Sequence, residues 1–288
     1  MGRMPDPSVK RKYGGRRLRR KREELGSTQH QVVAALDWSL SKLQRVEAGS
    51  HGVSTTDLRS LLDHYGVIGA DREPYLDDFR AGRERSWYVP FRPVLSPQVI
   101  RLFGYESIAT AVRQVNPLHI PGQLQTLAYA HEQLAPYFAG DELAAAIRAR
   151  ELRQQLLWGA DRPDLSVVLD EGVIRRLIGG PDVMREQLQH LLRVADEPRA
   201  SVRVVPFGAG WHYGLEGAFT LLDVAAVQSR PETVLYQEQG ERDYFTEDDP
   251  GLLADYERKW TALCAVALSE GRSADLIAAQ VRLLEESR

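Results

Sequence analysis

Apolar residues recur at helical spacing in two short, adjacent stretches near the start of the chain. Val32, Val33 and Leu36 mark the inner face of one helix over Thr28–Leu36, and Leu40, Leu43 and Val46 mark that of a second. Thr28 with Gln31 three residues later forms a capping box, and Asp37 and Trp38 occupy the turn. Ser39 caps the second helix, and Gly49 ends it as a left-handed residue should. Upstream, Leu18 and Leu25 predict a helix from about Gly15. Downstream, Ser54 opens a helix that buries Leu58, Leu61, Leu62 and Tyr65 before Gly66 stops it.

The pattern then loosens. Residues 70–97 are charged and hold prolines at 74, 90, 93 and 97, which predicts a helix followed by an extended linker. From Ser96 to Trp158 the spacing is mostly helical, with Pro121 in the first turn of a helix to Leu134 and another helix over Asp141–Leu157. Beyond that the period changes. Strands are expected at Leu165–Leu169, Val202–Val205, Ala218–Asp223 and Thr233–Gln237, and helices at Gly172–Ile178, Pro181–Ala195, Gly251–Leu268 and Ser273–Glu286. The fold class is therefore multidomain: an all-α N-terminal domain and an α+β (mixed α/β) C-terminal domain of effector type.

Charge sharpens the picture of the first domain. Residues 1–65 carry 13 Lys or Arg against 7 Asp or Glu, whereas the remainder carries 24 against 33. Nine cations crowd into Lys10–Arg22. A protein that binds DNA needs a local positive face rather than a positive total. The two short helices have the geometry that places one helix in a major groove, and the outer face of the second presents Ser39, Leu40, Ser41, Lys42, Gln44 and Arg45 to base edges and phosphates. Leu40 faces either inward or toward a thymine methyl on spacing alone. Arg45 either reads a base or phosphate, or pairs with Glu47 and Glu24. Arg16, Arg19 and Lys21 are expected to touch phosphates, while Glu47 is expected to bond within the domain, because phosphates would repel it.

At Thr28-Gln29, Trp38-Ser39 and Arg45-Val46-Glu47-Ala48-Gly49 the chain resembles the Cro/repressor-like, or Xre-type, helix-turn-helix family. Val33 and Asp37 depart from it, standing where Ala and Gly are usual. The resemblance implies that Gln29 clamps a phosphate and that the start of the second helix reads bases. Farther along, Asn116-Pro117, Pro121-Gly122-Gln123-Leu124-Gln125-Thr126, Val168-Leu169-Asp170-Glu171, Val202–Pro206 and Gly217-Ala218-Phe219 resemble the C-terminal domain of WhiJ-like regulators from actinobacteria. That resemblance implies a regulator working beside a small partner protein. Four segments are expected: a disordered basic arm over 1–12, the helix-turn-helix domain over 13–69, a helix and linker over 70–97, and a sensor or partner-binding domain over 98–288.

Candidate chemistry in the C-terminal domain is thin. His131-Glu132 begins a metalloprotease-like pattern, but Ala135 stands where its second histidine belongs. Gln239-Gly240-Glu241 matches a short transferase pattern expected about once by chance in a chain this long. Trp211, His212 and Tyr213 form an aromatic loop between glycines, either a lid for a small ligand or an ordinary connection. Glu171 and Glu238 sit at strand ends, where sites often form. These five are the candidate ligand residues. The lone Cys264 excludes an internal disulfide and reads as a buried hydrophobe. No cofactor and no metal is implied. No apolar run reaches the ~18 residues that span a bilayer, so no membrane is implied and the cytoplasm, beside the nucleoid, is the expected location. The expected function is that of a sequence-specific DNA-binding regulator acting as a homodimer, whose second domain senses a small-molecule effector or docks a partner. The alternative is an enzyme, such as a nucleotide-modifying transferase, fused to a DNA-binding domain.

Overall fold

A computed structural model describes residues 6–82, 86–159, 162–224, 232–238 and 243–286. The chain divides into two compact units. Among the described residues, one comprises 6–89 with Phe103–Ile108, and the other comprises Pro90–Leu102 and 109–286.

The N-terminal unit is helical: α1 (Pro7–Glu24), α2 (Gln29–Leu36), α3 (Leu40–Glu47), α4 (Thr55–His64) and α5 (Glu73–Ala81). Their apolar faces meet in one core of Leu18, Val32, Leu43, Val46, Leu58, Leu61, Leu62, Tyr65 and Phe79, with Val33, Leu36 and Trp38 packed at its edge. Helix α1 corrects two expectations. It starts eight residues before Gly15, so positions 7–12 are helical rather than a disordered arm; residues 1–5 lie outside the described residues. Asp6 supplies the cap, accepting from the N–H groups of Ser8 and Val9, and Pro7 fills the first turn. Gly14-Gly15 reads as a helix breaker but lies in mid-helix. A Cβ on Gly15 would stand 2.5 Å from the carbonyl oxygen of Val46 and 2.6 Å from that of Glu47, so the pair allows α1 to cross the end of α3 at backbone contact. Of the helix and linker expected over 70–97, the helix is present as α5, and Tyr75, Leu76 and Phe79 place it in this core rather than outside the domain.

The C-terminal unit is built on a six-stranded mixed sheet in the order β3-β2-β1-β4-β5-β6. The strands are β1 (Ala109–Asn116), β2 (Asp164–Asp170), β3 (Ala200–Val205), β4 (Phe219–Val224), β5 (Glu232–Gln237) and β6 (Tyr244–Thr246). β1, β2 and β3 run parallel, and β4, β5 and β6 continue the sheet antiparallel. Helix α6 is Pro97–Glu106. Two helices, α7 (Leu127–Leu134) and α8 (Gly140–Leu157), connect β1 to β2, and α9 (Glu171–Arg175) and α10 (Gly180–Ala195) connect β2 to β3. The chain closes with α11 (Pro250–Val266) and α12 (Glu270–Glu286).

One face of the sheet, carrying Val115, Val168, Val205, Phe219, Leu221 and Leu235, packs against Leu263, Trp260, Tyr256 and Cys264 of α11. Burial pushes the Cys264 thiol up, in keeping with a packing role. The start of α12 covers the edge strand β3: Ser273 Oγ accepts from Val204 N–H at 3.0 Å, and Leu268 N–H donates to Val204 at 2.9 Å.

The largest departure from expectation is β1, the sheet's central strand, which falls inside a stretch whose spacing reads as helical. Its polar residues Arg113, Gln114 and Asn116 hide the strand, and each finds hydrogen-bond partners in the fold, Gln114 Oε1 accepting from Gln123 Nε2. Arg113 donates to Asp223 at 2.8 Å and to Glu257 at 2.7 Å, and Asn116 Oδ1 accepts from the N–H groups of Leu118 and His119. Pro121 is extended (φ −55°, ψ 142°) and precedes a short turn; the helix begins after the Thr126 cap instead.

Candidate functional site

The caps foreseen at the two short helices are all present. Thr28 and Gln31 make the reciprocal capping box of α2, and Ser39 Oγ accepts from Lys42 N–H to open α3. Asp37 takes the left-handed turn conformation (φ 52°), the one non-glycine residue with positive φ among the described residues. At the end of α3, Gly49 (φ 63°) donates to the Val46 carbonyl at 3.0 Å and Ser50 donates to that of Arg45 at 3.1 Å, the paired bonds of a Schellman stop.

Inside this frame α3 turns Leu43, Val46 and Glu47 inward and leaves Ser39, Ser41, Gln44 and Arg45 exposed, with Leu40 half-buried. Arg45 donates to the Ser41 carbonyl through Nε at 3.2 Å, and it pairs with neither Glu47 nor Glu24. Lys42 is committed within the domain: its ammonium lies 2.8 Å from Asp57 and 4.1 Å from the centroid of the Trp38 ring. That hydrogen bond holds the Asp57 carboxyl below its ordinary range.

Glu47 bonds within the domain, as the repulsion argument requires. Its carboxylate, almost fully buried, accepts from Arg22 Nε at 2.7 Å and Nη2 at 3.1 Å, a bidentate pair, and from Gln29 Nε2 at 2.8 Å. The hydrogen bond to Glu47 raises Arg22 further, and burial together with the Glu47 charge raises the Tyr65 hydroxyl. Gln29, the expected phosphate clamp, therefore has its amide group turned to Glu47, and its carbonyl receives Gln44 at 3.4 Å.

The dense run of cations is divided. Lys10 and Arg17 serve Asp78 at 3.1 and 3.4 Å, Arg11 donates to the Gly82 carbonyl, Lys12 donates to Tyr105, and Arg22 holds Glu47. Arg19 is exposed and paired with Glu23 at 2.8 Å, Lys21 lies 3.9 Å from Glu24, and Arg16 rests 5.9 Å from the Tyr13 ring centroid. Spacing on the first helix gave no sign of this division, because the partners that decide it are Asp78 and Glu47, far along the chain.

In the C-terminal unit the five candidate ligand residues separate. Glu171 is buried and accepts from Phe207 N–H at 2.7 Å and Arg175 Nε at 2.6 Å, which ties α9 to the segment after β3. His212 is buried and meets Asp170 at 3.2 Å, anchoring the aromatic loop, while Trp211 is 66% exposed and packs edge-on against Tyr213. Tyr213 and Glu238 do come together. With Glu216, Phe219, Gln237, Tyr256 and Lys259 they line a cleft of about 310 Å³, part of it open solvent. Three chain segments build this cleft, so no local motif announces it.

Beside Glu238 lies a polar cluster on α8. Arg150 donates to Gln133 at 2.8 Å and to Gln125, and Arg153 donates to Gln123 at 3.3 Å. Burial and the neighbouring Arg153 push the Arg150 guanidinium down to about 10. Gln123, which replaces an apolar residue of the resembling family, is thus a buried hydrogen-bonding residue. Among the described residues no group of three His, Cys, Asp or Glu is placed to hold a metal, and no helix is long and apolar enough to cross a membrane. Gln239-Gly240-Glu241 lies outside the described residues.

Residues 15–74 match the family model of a helix-turn-helix domain. Residues 99–279 match that of a domain of unknown function, DUF5753. No curated protein and no solved structure matches the chain.

Proposed function

Since the chain belongs to the family defined by that domain of unknown function and carries a helix-turn-helix domain at its N-terminus, we propose that it is a sequence-specific transcriptional regulator. Its second domain adjusts DNA binding in response to a small ligand or a docked partner protein. The observation that carries the reading is the exposed face of α3: Ser39, Ser41, Gln44 and Arg45 point outward together, and the Arg45 guanidinium makes no ion pair among the described residues. Arg45 is the base-reading cation, and Ser39 and Ser41 lie at the edge that enters the groove. Lys42 and Gln29 reach phosphates only after exchanging their contacts with Asp57 and Glu47.

Arg45→Ala is expected to weaken binding to the preferred operator by ~1–3 kcal/mol and to relax preference at one base position. Arg19→Ala and Lys21→Ala act differently. Their exposed ion pairs contribute little, so each cation is free to exchange its carboxylate for a phosphate. Loss of either is expected to weaken all sequences alike and to flatten the salt dependence by about one unit of log–log slope. Mobility-shift titrations of specific and scrambled duplexes over a salt series separate the two patterns.

One eight-residue helix reads few bases, so the protein works as a homodimer on an inverted repeat, with half-sites about 34–36 Å apart or a multiple of that spacing. The resemblance to WhiJ-like actinobacterial regulators supports the same assignment and a cytoplasmic, nucleoid-associated place of action. Mapping of bound sites in the native host tests it: promoter-centred peaks sharing one inverted repeat are expected, and dispersed occupancy without a shared sequence contradicts it.

A further inference from the structure

Among the described residues, the cleft beside β4 and β5 contains a carboxylate that no donor serves. Glu238 follows the last residue of β5 and is half-buried, and among the described residues nothing donates a hydrogen bond to its side-chain oxygens. The donors around it are engaged elsewhere. Lys259 lies 2.8 Å from Glu216 and 3.4 Å from Asp255, Arg150 and Arg153 are bonded to glutamine oxygens, and the Gln237 amide donates to the Tyr256 hydroxyl at 2.5 Å. The lining thus carries Glu216 and Glu238 against Lys259 alone, a surplus of negative charge. Its walls are aromatic and already turned to a cation: the Lys259 ammonium rests 4.6 Å from the ring centroid of Tyr256 and 5.9 Å from that of Tyr213.

We propose that this cleft binds a small organic cation, an amine or amidine borne on an apolar group, with Glu238 as its counter-ion and Tyr213 and Tyr256 as its walls. The proposal rests on the ligand-sensing reading of the C-terminal domain and specifies the ligand's chemistry. A cationic N–H group supplies what the site lacks, a donor and a charge for a desolvated carboxylate. An anion would meet Glu238 and Glu216 in a described lining whose cation, Lys259, is already paired.

The surroundings of Glu238 also dictate how binding depends on pH. Burial raises its carboxyl, and Asp243, ahead of β6, raises it further; His119 after β1 and Arg153 and Arg150 on α8 pull it down. Lys259 and Glu216 complete the charged lining. The net direction is upward, so the free carboxyl holds its proton to a higher pH than an ordinary glutamate. A cation binds the ionised form. Binding therefore expels a proton in that range and weakens as pH falls through it.

Calorimetric titration of the full chain with benzylamine, benzyl alcohol and benzoate tests this, run in two buffers of different ionisation heat and repeated with operator DNA present. Benzylamine is expected to bind at least about tenfold more tightly than the other two, with proton release, and to lose at least about tenfold in Glu238→Gln. The pH profile of the unmutated chain carries the same information if that variant folds poorly. Equal binding of all three probes, preference for benzoate, no binding of any, or full affinity in a folded Glu238→Gln overturns the proposal. Selective benzylamine binding that leaves operator affinity unchanged upholds the site and contradicts the sensing role. An operator complex that responds to a non-cationic effector, with no amine bound in the cleft, upholds sensing and overturns the cleft assignment.

Discussion

Replacing Glu47 by alanine is expected to destabilise the N-terminal domain by about 3–5 kcal/mol. The side chain is nearly sealed from water and accepts three hydrogen bonds, two from Arg22 and one from Gln29. Removing it leaves the Arg22 guanidinium buried without a counter-charge, and an unpaired buried ion costs more than the pair contributes. Two helices lose their tie at once, since Arg22 lies at the end of α1 and Gln29 opens α2. The double change Arg22→Met with Glu47→Leu removes both charges and is expected to recover most of the loss. Hydrogen exchange of the α3 amides in the full chain reads this local stability directly. A loss below about 1 kcal/mol would mean that water reaches the pair and screens it.

A methyl group at position 49 is expected to be nearly as damaging. Gly49 has a positive φ of 63°, which costs an L-residue roughly 1–2 kcal/mol. Its Cβ would also stand 2.4 Å from Cα of Lys12 and 2.5 Å from the carbonyl oxygen of Arg11, both backbone atoms that cannot swing aside. Overpacking of that kind adds about 1–3 kcal/mol, so Gly49→Ala should cost about 2–5 kcal/mol in urea unfolding followed at the N-terminal domain. An unchanged midpoint would show that α1 does not lie against the end of α3. The same change at exposed Gly52, where nothing lies within 4 Å of the added carbon, is the control.

What the sequence made legible was local. The capping box at Thr28 and Gln31, the left-handed turn at Asp37, the stop at Gly49 and the apolar runs of β2 to β5 depend on neighbours within a few residues, and the structure places them as expected. Glu47 turned inward because a repulsion argument applies wherever its partner lies. The missing parts depend on distant residues. Strand β1 looks unlike a central strand because Arg113, Gln114 and Asn116 are polar, and their partners include Glu257, Gln123 and the turn after the strand. Likewise, nine cations in one run say nothing of which ones Asp78 and Glu47 will take inside. Of the five candidate ligand residues, Glu171 and His212 anchor backbone and loop, whereas Tyr256 and Lys259 of the cleft carried no signal until the fold gathered them.

The measurement that bears most directly on the outward face of α3 is selection of bound duplexes from a random-sequence pool, with the full chain and its Arg45→Ala variant side by side. Enrichment of one short inverted repeat by the unaltered chain, with preference at a single base position lost in each half-site for the variant, is the predicted result. A pool without any enriched sequence, or an identical preference from both proteins, would contradict the account.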